Sequence, residues 1–237
     1  MIHLAIPTFN RGELTYHSYR QVLGNSRLSS VTIVDDCSEA NHHPALMRHR
    51  DADRVRVHFN AVNYGCYLNK RNAVSASPGD WVLLLDSDNE IDSRYLSALE
   101  NVSPWSPTVL YLPTFAAPVH DYRAYDDQTY DAFSIRQMID KPRFLTALNT
   151  GNFFFNRESF LKIFDATSQP LAADSLYMVY RWLSNGGSIR FVSGAHYHHT
   201  HNSRDGNYNR YAERSATKFD RIIRAMRDGK WGEYVID

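Results

Sequence analysis

Trp81-Val82-Leu83-Leu84-Leu85-Asp86-Ser87-Asp88-Asn89-Glu90 is an apolar run that ends abruptly in Asp-Ser-Asp. The run has the length of a buried strand and is far too short to cross a membrane. Two carboxylates one residue apart, where a strand gives way to a loop, can converge on one divalent cation. Hard cations such as Mg²⁺ and Mn²⁺ take oxygen ligands and often complete their shells with substrate phosphates. The pair points to a nucleotide diphosphate held through a metal by Asp86 and Asp88. The competing reading makes Asp86 a cap for the next segment and leaves Asp88 solvated, since Asp is common at turns and helix starts.

Working outward from this run, strand and helix signals alternate through the first hundred residues. Strands are predicted over 2–7, 31–34, 55–59 and 82–85. Helices are predicted over 13–23, 44–50 and 67–76, with another starting at Ser93. Such alternation indicates an α/β fold, a Rossmann-like, mostly parallel sheet flanked by helices. Right-handed crossovers place the C-terminal ends of the strands on one edge, where open α/β sheets bind ligands. The polar clusters fall on that edge. Thr8-Phe9-Asn10-Arg11 follows the first strand, Asp35-Asp36 the second, residues 60–65 the third and Asp86-Ser87-Asp88 the fourth.

The second half is less regular. Strands are predicted over 109–112 and 189–192, and helices over 157–164 and 174–183, with Gly186-Gly187 as a stop signal. Residues 116–145 read as a loop-rich lid or acceptor region. Phe219, Ile222, Ile223 and Met226 share one face of an amphipathic C-terminal helix over 217–226. That face packs on its own domain, or meets a membrane or a second subunit.

The 237 residues suit a single domain of two halves, and 43% of them are hydrophobic. Charge balances at 26 basic and 26 acidic residues, which argues against a nucleic-acid binder driven by bulk electrostatics. Cys37 and Cys66 form no Cys-x-x-Cys pair, so a reduced, cytoplasmic setting is expected rather than a disulfide framework. No stretch has the length of a transmembrane helix, and peripheral membrane contact and oligomeric state stay open.

Together these motifs resemble the family 2 glycosyltransferases of the GT-A fold. The resemblance rests on Ile6-Pro7-Thr8-Phe9-Asn10-Arg11, Val34-Asp35-Asp36-Cys37-Ser38, Asn63-Tyr64-Gly65 with Lys70-Arg71-Asn72, and Leu85-Asp86-Ser87-Asp88. It continues more weakly through residues 150–160 and at Ala173-Asp174-Ser175-Leu176. It implies a GT-A domain over 1–205, with a nucleotide-sugar half over about 1–105, an acceptor half over about 106–205, and a helical extension over 206–237. It also implies a nucleotide-diphosphate-sugar donor, a Mn²⁺ or Mg²⁺ ion, inversion at the anomeric carbon, and a glycan or other hydroxyl acceptor, as in polysaccharide biosynthesis. Uracil is the expected base.

Carried over by position, Pro7, Thr8, Phe9, Asn10 and Arg11 lie in the donor site, Thr8 and Phe9 against base and ribose. Asp36 or its neighbour Asp35 accepts from the uracil imide. Asn63, Gly65, Lys70, Arg71 and Ser87 complete the donor set, with Arg71 near the base or diphosphate. Asp86 touches the ribose or a metal-bound water, and Asp88 ligates the metal. Gly151, Asn152 and Asp174 face the acceptor, and Asp174 is the candidate base, with a plain helix N-cap as its alternative. Among His196-Tyr197-His198-His199-Thr200-His201, His199 fits the family's spacing for a further metal ligand.

Three departures stand out: Cys37 where the family often has Gly, Ala173-Asp174 in place of an acidic pair, and no membrane span after the core. The last disfavours a processive, secreting synthase. Rival readings are a sugar-nucleotide nucleotidyltransferase, which would need a Gly-rich basic loop after the first strand, and a non-catalytic nucleotide-sugar or glycan-binding module.

Overall fold

The first strand, β1 (Ile2–Thr8), is buried at all but one position, the pattern of a strand covered on both faces. Strands β2 (Leu28–Asp35) and β4 (Trp81–Leu84) share that character. Strand β3 (Val55–Phe59) keeps only its first residue buried and forms the sheet edge, where polar positions tolerate water. The computed structural model describes residues 1–48, 53–200 and 211–232.

Six further strands complete the sheet: β5 (Asn89–Ile91), β6 (Val109–Ala117), β7 (His120–Asp121), β8 (Thr129–Tyr130), β9 (Phe154–Asn156) and β10 (Ser188–His199). Along the main path the order is β3-β2-β1-β4-β9-β6-β10-β5, with β7 on β6 and β8 on β10. Strands β3, β2, β1 and β4 are mutually parallel. Strand β9 opposes β4 and β6, β10 is parallel to β6, and β5 opposes β10. Six of the eight strands on this path therefore run the same way, which is the mostly parallel α/β sheet that the alternation predicts.

Helices cover both faces. On one side α1 (Gly12–Tyr19), α2 (His43–Leu46) and α4 (Ser93–Asn101) bury Tyr19, Leu46, Tyr95, Leu96 and Leu99 against the sheet. On the other, α3 (Cys66–Ala76), α5 (Pro142–Leu148), α6 (Arg157–Ile163), α7 (Asp174–Ser184) and a C-terminal helix, α8 (Ala212–Asp228), build a second layer around Phe144, Phe155, Phe160, Leu176 and Tyr180. Side-chain caps fix two of the starts: Asp92 accepts from the Arg94 amide and Asn156 from the Ser159 amide.

The apolar face of α8 is used inside the chain. Ile222 and Met226 are fully buried, with Phe219 and Ile223 packed beside them. The Tyr180 hydroxyl donates to the Lys230 carbonyl at 2.7 Å, and Trp231 stacks on the Tyr180 ring. The boundary at 205/206, the end of the helix expected over 44–50, and His201 lie outside the described residues. No helix among the described residues is long and apolar enough to cross a membrane.

Several elements depart from the sequence reading. Strands β5 and β9 were not expected; each has three residues and exists through antiparallel pairing with distant partners. Strand β6 runs on through Pro113 to Ala117, and β10 continues through the histidines to His199. Residues 116–145 are less loop-rich than expected, since they hold β7, β8 and most of α5.

Candidate active site

Parallel register sets the site. Thr8 pairs with Asp35, and Asp35 with Phe59, so β1, β2 and β3 end side by side. Asn69 on α3 ties the first two ends together, donating to the Val34 carbonyl at 2.9 Å and towards the Thr8 carbonyl at 3.4 Å. Leu85 continues β4 on the other flank, its amide donating to the Ala5 carbonyl. The chain then turns through Asp86-Ser87-Asp88 onto the same edge.

On the β1–β3 side the carboxylates are buried and build loops. Asp35 accepts from the Ser38 amide and hydroxyl. Asp36, 2% exposed, accepts from the Asn60 side chain and the Tyr64 amide at 2.9 Å and the Gly65 amide at 2.8 Å. A carboxylate offers about four lone-pair sites, so Asp36 keeps one for a further donor. Asn63 accepts from the Gly65 amide at 3.0 Å. The Asn10 amide donates to the Ser38 hydroxyl and its side chain accepts from the Glu39 amide. Pro7 and Thr8 are buried, the Thr8 hydroxyl against that of Thr15 at 2.7 Å, while Phe9 is 39% exposed. Cys37 has φ of +64°, the left-handed region that glycine adopts freely, and makes this turn without a glycine.

The β4 side holds the concentrated charge. Lys70 on α3 places its Nζ 3.0 Å from Asp86 and 2.7 Å from Asp174. Burial alone would pull the pKa of this ammonium down; Asp174 and Asp86 outweigh it and raise it, so Lys70 stays protonated. Arg11 pairs with Asp88 at 2.6 Å. Burial pushes the Asp88 carboxyl above its ordinary range, with Arg11 opposing and Asp86 reinforcing.

Gly151 and Asn152 hold Asp86 from the other side. The Asp86 amide donates to the Asn152 side-chain oxygen at 2.9 Å, and the Tyr95 hydroxyl donates to the Asn152 carbonyl at 2.8 Å. Gly151 has φ of +68°, and a Cβ there would stand 2.5 Å from Asp86 Oδ2. Antiparallel pairing of β5 with β10 sets His199 opposite Asn89. His199 Nδ1 lies 2.8 Å from Asn89 Oδ1, and Asn89 Nδ2 donates to the same Asn152 oxygen at 3.3 Å.

Asp174 is not an N-cap. Ala173 takes that position without a side-chain bond, and Asp174 is the first residue of α7 with its carboxylate on Lys70. Arg71 is exposed on α3, whereas Lys70 sits among the carboxylates. Among the described residues no three His, Cys, Asp or Glu side chains converge as a metal site. Asp86 and Asp88 each commit one carboxylate oxygen to a cation of the chain. Their other oxygens suit a hard cation that draws the rest of its shell from phosphate and water.

The glycosyl transferase family 2 model matches residues 4–164. The chain belongs to that family. No curated protein matches it in sequence. Among solved structures, S. aureus TarS 1-349 in complex with UDP-GlcNAc superposes with a TM-score of 0.67 at 17% identity, covering 95% of this chain and 66% of that one. TarS 1-349 alone gives 0.66 at 16% identity, covering 95% of this chain and 64% of TarS. GalNAc-T7 with UDP, GalNAc and Mn2+ gives 0.65 at 15% identity, covering 98% of this chain and 52% of GalNAc-T7. The chain thus spans less than two thirds of the TarS 1-349 chain, and the likeness is one of fold.

Within this family fold, sequence reasoning overlooked Asn69, Asn89 and Tyr95, all of which orient the site. A helical wheel would have found the weight of Lys70. It lies three residues after Tyr67 and four before Val74, on the buried stripe of α3.

Proposed function

We propose that this family 2 member is a metal-dependent inverting glycosyltransferase. It moves a sugar from a uridine-diphosphate sugar to a hydroxyl of a glycan or other acceptor. The observation that carries the reading is the convergence of Asp86, Asp88 and Asp174 with Lys70 and Arg11 at the C-terminal edge of the sheet. TarS was solved with UDP-GlcNAc and GalNAc-T7 with UDP, which supports a uridine donor. The two thiols, Cys37 and Cys66, are free and fit a reducing cytoplasm.

In this reading Asp36 receives the base edge and Phe9 lies against the ring. Asp86 and Asp88 hold a Mn²⁺ or Mg²⁺, with His199 beside them through Asn89. When bound, that ion supplies positive charge to the departing diphosphate. Arg11 and Lys70 add fixed charge at the same place. Asp174 takes the proton from the acceptor hydroxyl as its oxygen bonds to the anomeric carbon. The bond from that carbon to the diphosphate oxygen breaks, and its electron pair leaves with the nucleotide. Attack from the face away from the diphosphate inverts the centre.

The test is the melting shift on adding UDP with Mn²⁺. A ligand held at about a hundredfold its Kd stabilises the native state by about 2.7 kcal/mol. Asp88→Ala should abolish the Mn²⁺-dependent part of the shift and leave the unliganded melting temperature close to wild type. An equal shift in excess chelator would contradict a metal-held diphosphate.

A further inference from the structure

Lys70 is the more buried of the two cations paired in the site, with 7% of its side chain exposed against 26% for Arg11. Its Nζ divides between a carboxylate of the donor motif and the carboxylate assigned as base, at 3.0 Å and 2.7 Å. The two partners differ in exposure: 28% of the Asp86 side chain reaches solvent and 12% of Asp174. A carboxylate bonded to an ammonium at 2.7 Å is a poor proton acceptor, because taking a proton costs the ion pair. With Lys70 placed in this way, Asp174 is occupied.

Three carboxylates face two cations in this cluster, leaving one net negative charge. A dication on Asp86 and Asp88 would compete with Lys70 for Asp86. The incoming diphosphate would offer the ammonium new oxygen acceptors on the donor side. Both changes draw Lys70 towards the donor and away from Asp174.

Resting on the glycosyl-transfer reading, we infer that Lys70 is a shared counter-ion, held by Asp174 and Asp86 in the free protein and passed to the diphosphate on donor binding. The exchange frees Asp174 to accept the acceptor's proton only once a donor is in place. It also opposes proton abstraction in an empty site. Lys70 acts here as a positioning residue for the base and as a donor ligand. The coupling is energetic, because whatever holds Lys70 on Asp174 is subtracted from donor affinity.

The test is a double-mutant cycle read by calorimetric binding of UDP in saturating Mn²⁺. In Asp174→Asn the ammonium loses its competing partner, so UDP should bind about 5-fold or more tightly than to wild type, within the usual range of site-to-site coupling. Lys70→Met should bind UDP more weakly than wild type. The Asp174→Asn gain should vanish in the Lys70→Met background and persist in Lys70→Arg. If Lys70→Met does not fold, as judged by circular dichroism, Lys70→Gln takes its place in the cycle.

An Asp174→Asn gain that survives removal of the lysine would trace to repulsion between Asp174 and the diphosphate, and would overturn the exchange. No gain at all would overturn it equally. If wild type bound no UDP with Mn²⁺, the glycosyl-transfer reading itself would fail, an outcome distinct from both.

Discussion

Gly151→Ala puts the smallest possible side chain against the carboxylate of Asp86. The new Cβ would lie 2.5 Å from Oδ2, and ordinary contact begins near 3.4 Å. Ser175 Oγ, at 3.5 Å, closes another side of the space. Either Asp86 retreats by about 0.9 Å or the 150–152 loop moves, and a misplacement near 1 Å costs on the order of 10²-fold in rate. The backbone adds its own penalty, since φ is +68° and a non-glycine residue there costs about 1–2 kcal/mol. Stability should therefore fall modestly while transfer falls steeply. The assay compares urea unfolding with UDP release from a UDP-sugar donor. A Gly151→Ala protein with near wild-type turnover would refute the idea that this glycine sets the position of Asp86. A protein that has simply unfolded would show that the loop is structural first.

Three further outcomes follow from the same structure. Asp36→Ala strands the amides of Tyr64 and Gly65 and the side chain of Asn60; denaturant unfolding should show a loss of roughly 1–3 kcal/mol, and an unchanged midpoint would remove Asp36 as the organiser of that loop. Asp165 accepts from Thr167, Ser168 and Tyr177; burial pushes its carboxyl up, but these donors win and hold it at about 2. Because the folded pKa is the lower one, the contribution of Asp165 is present above 3.8 and lost as pH falls towards about 2. The urea-midpoint gap between wild type and Asp165→Asn should close across that window; a gap that widens there has the wrong sign. Burial pushes the Cys66 thiol up to about 12, with Asp174 adding to it and Lys70 opposing, whereas Cys37 is exposed. Iodoacetamide at pH 8 should label Cys37 well before the half-buried Cys66 in the native protein, as peptide mass mapping would show; equal labelling of the two would contradict the raised Cys66 thiol.

What the sequence made legible was the nucleotide-side sheet. Strand β4 is an unbroken apolar run, β1 is interrupted only by His3 before its terminal Thr8, and β2 carries the β-branched run Val31–Val34; each leads into a polar cluster, and β3 alternates over the residues it occupies, so periodicity and punctuation agree. Elements that depend on distant partners were hidden. Asn89-Glu90-Ile91 carries no strand signal and becomes β5 only because β10 lies beside it. Phe154–Asn156 is too short for any period and is held between β4 and β6. Pro113 reads as a strand terminator, yet β6 passes through it opposite Val192, where the pairing with β10 shifts register. The carboxylates of the site could be named from the chain. Lys70 and Arg11 could be named as well, but their pairing could not, because Lys70 with Asp174 and Arg11 with Asp88 join residues far apart in sequence. The same blindness cast Asp174 as an N-cap candidate, since a helix start was visible and a buried lysine opposite it was not.

The most direct test of the central claim is the anomeric configuration of the first-formed product, followed by proton NMR during turnover of a UDP-sugar with Mn²⁺. Wild type should release a product of configuration opposite to the donor. Asp174→Asn should make the same product about 10²–10⁴-fold more slowly, the usual contribution of a general base. Retention of the donor's configuration, or an Asp174→Asn rate near wild type, would contradict a single displacement driven by Asp174.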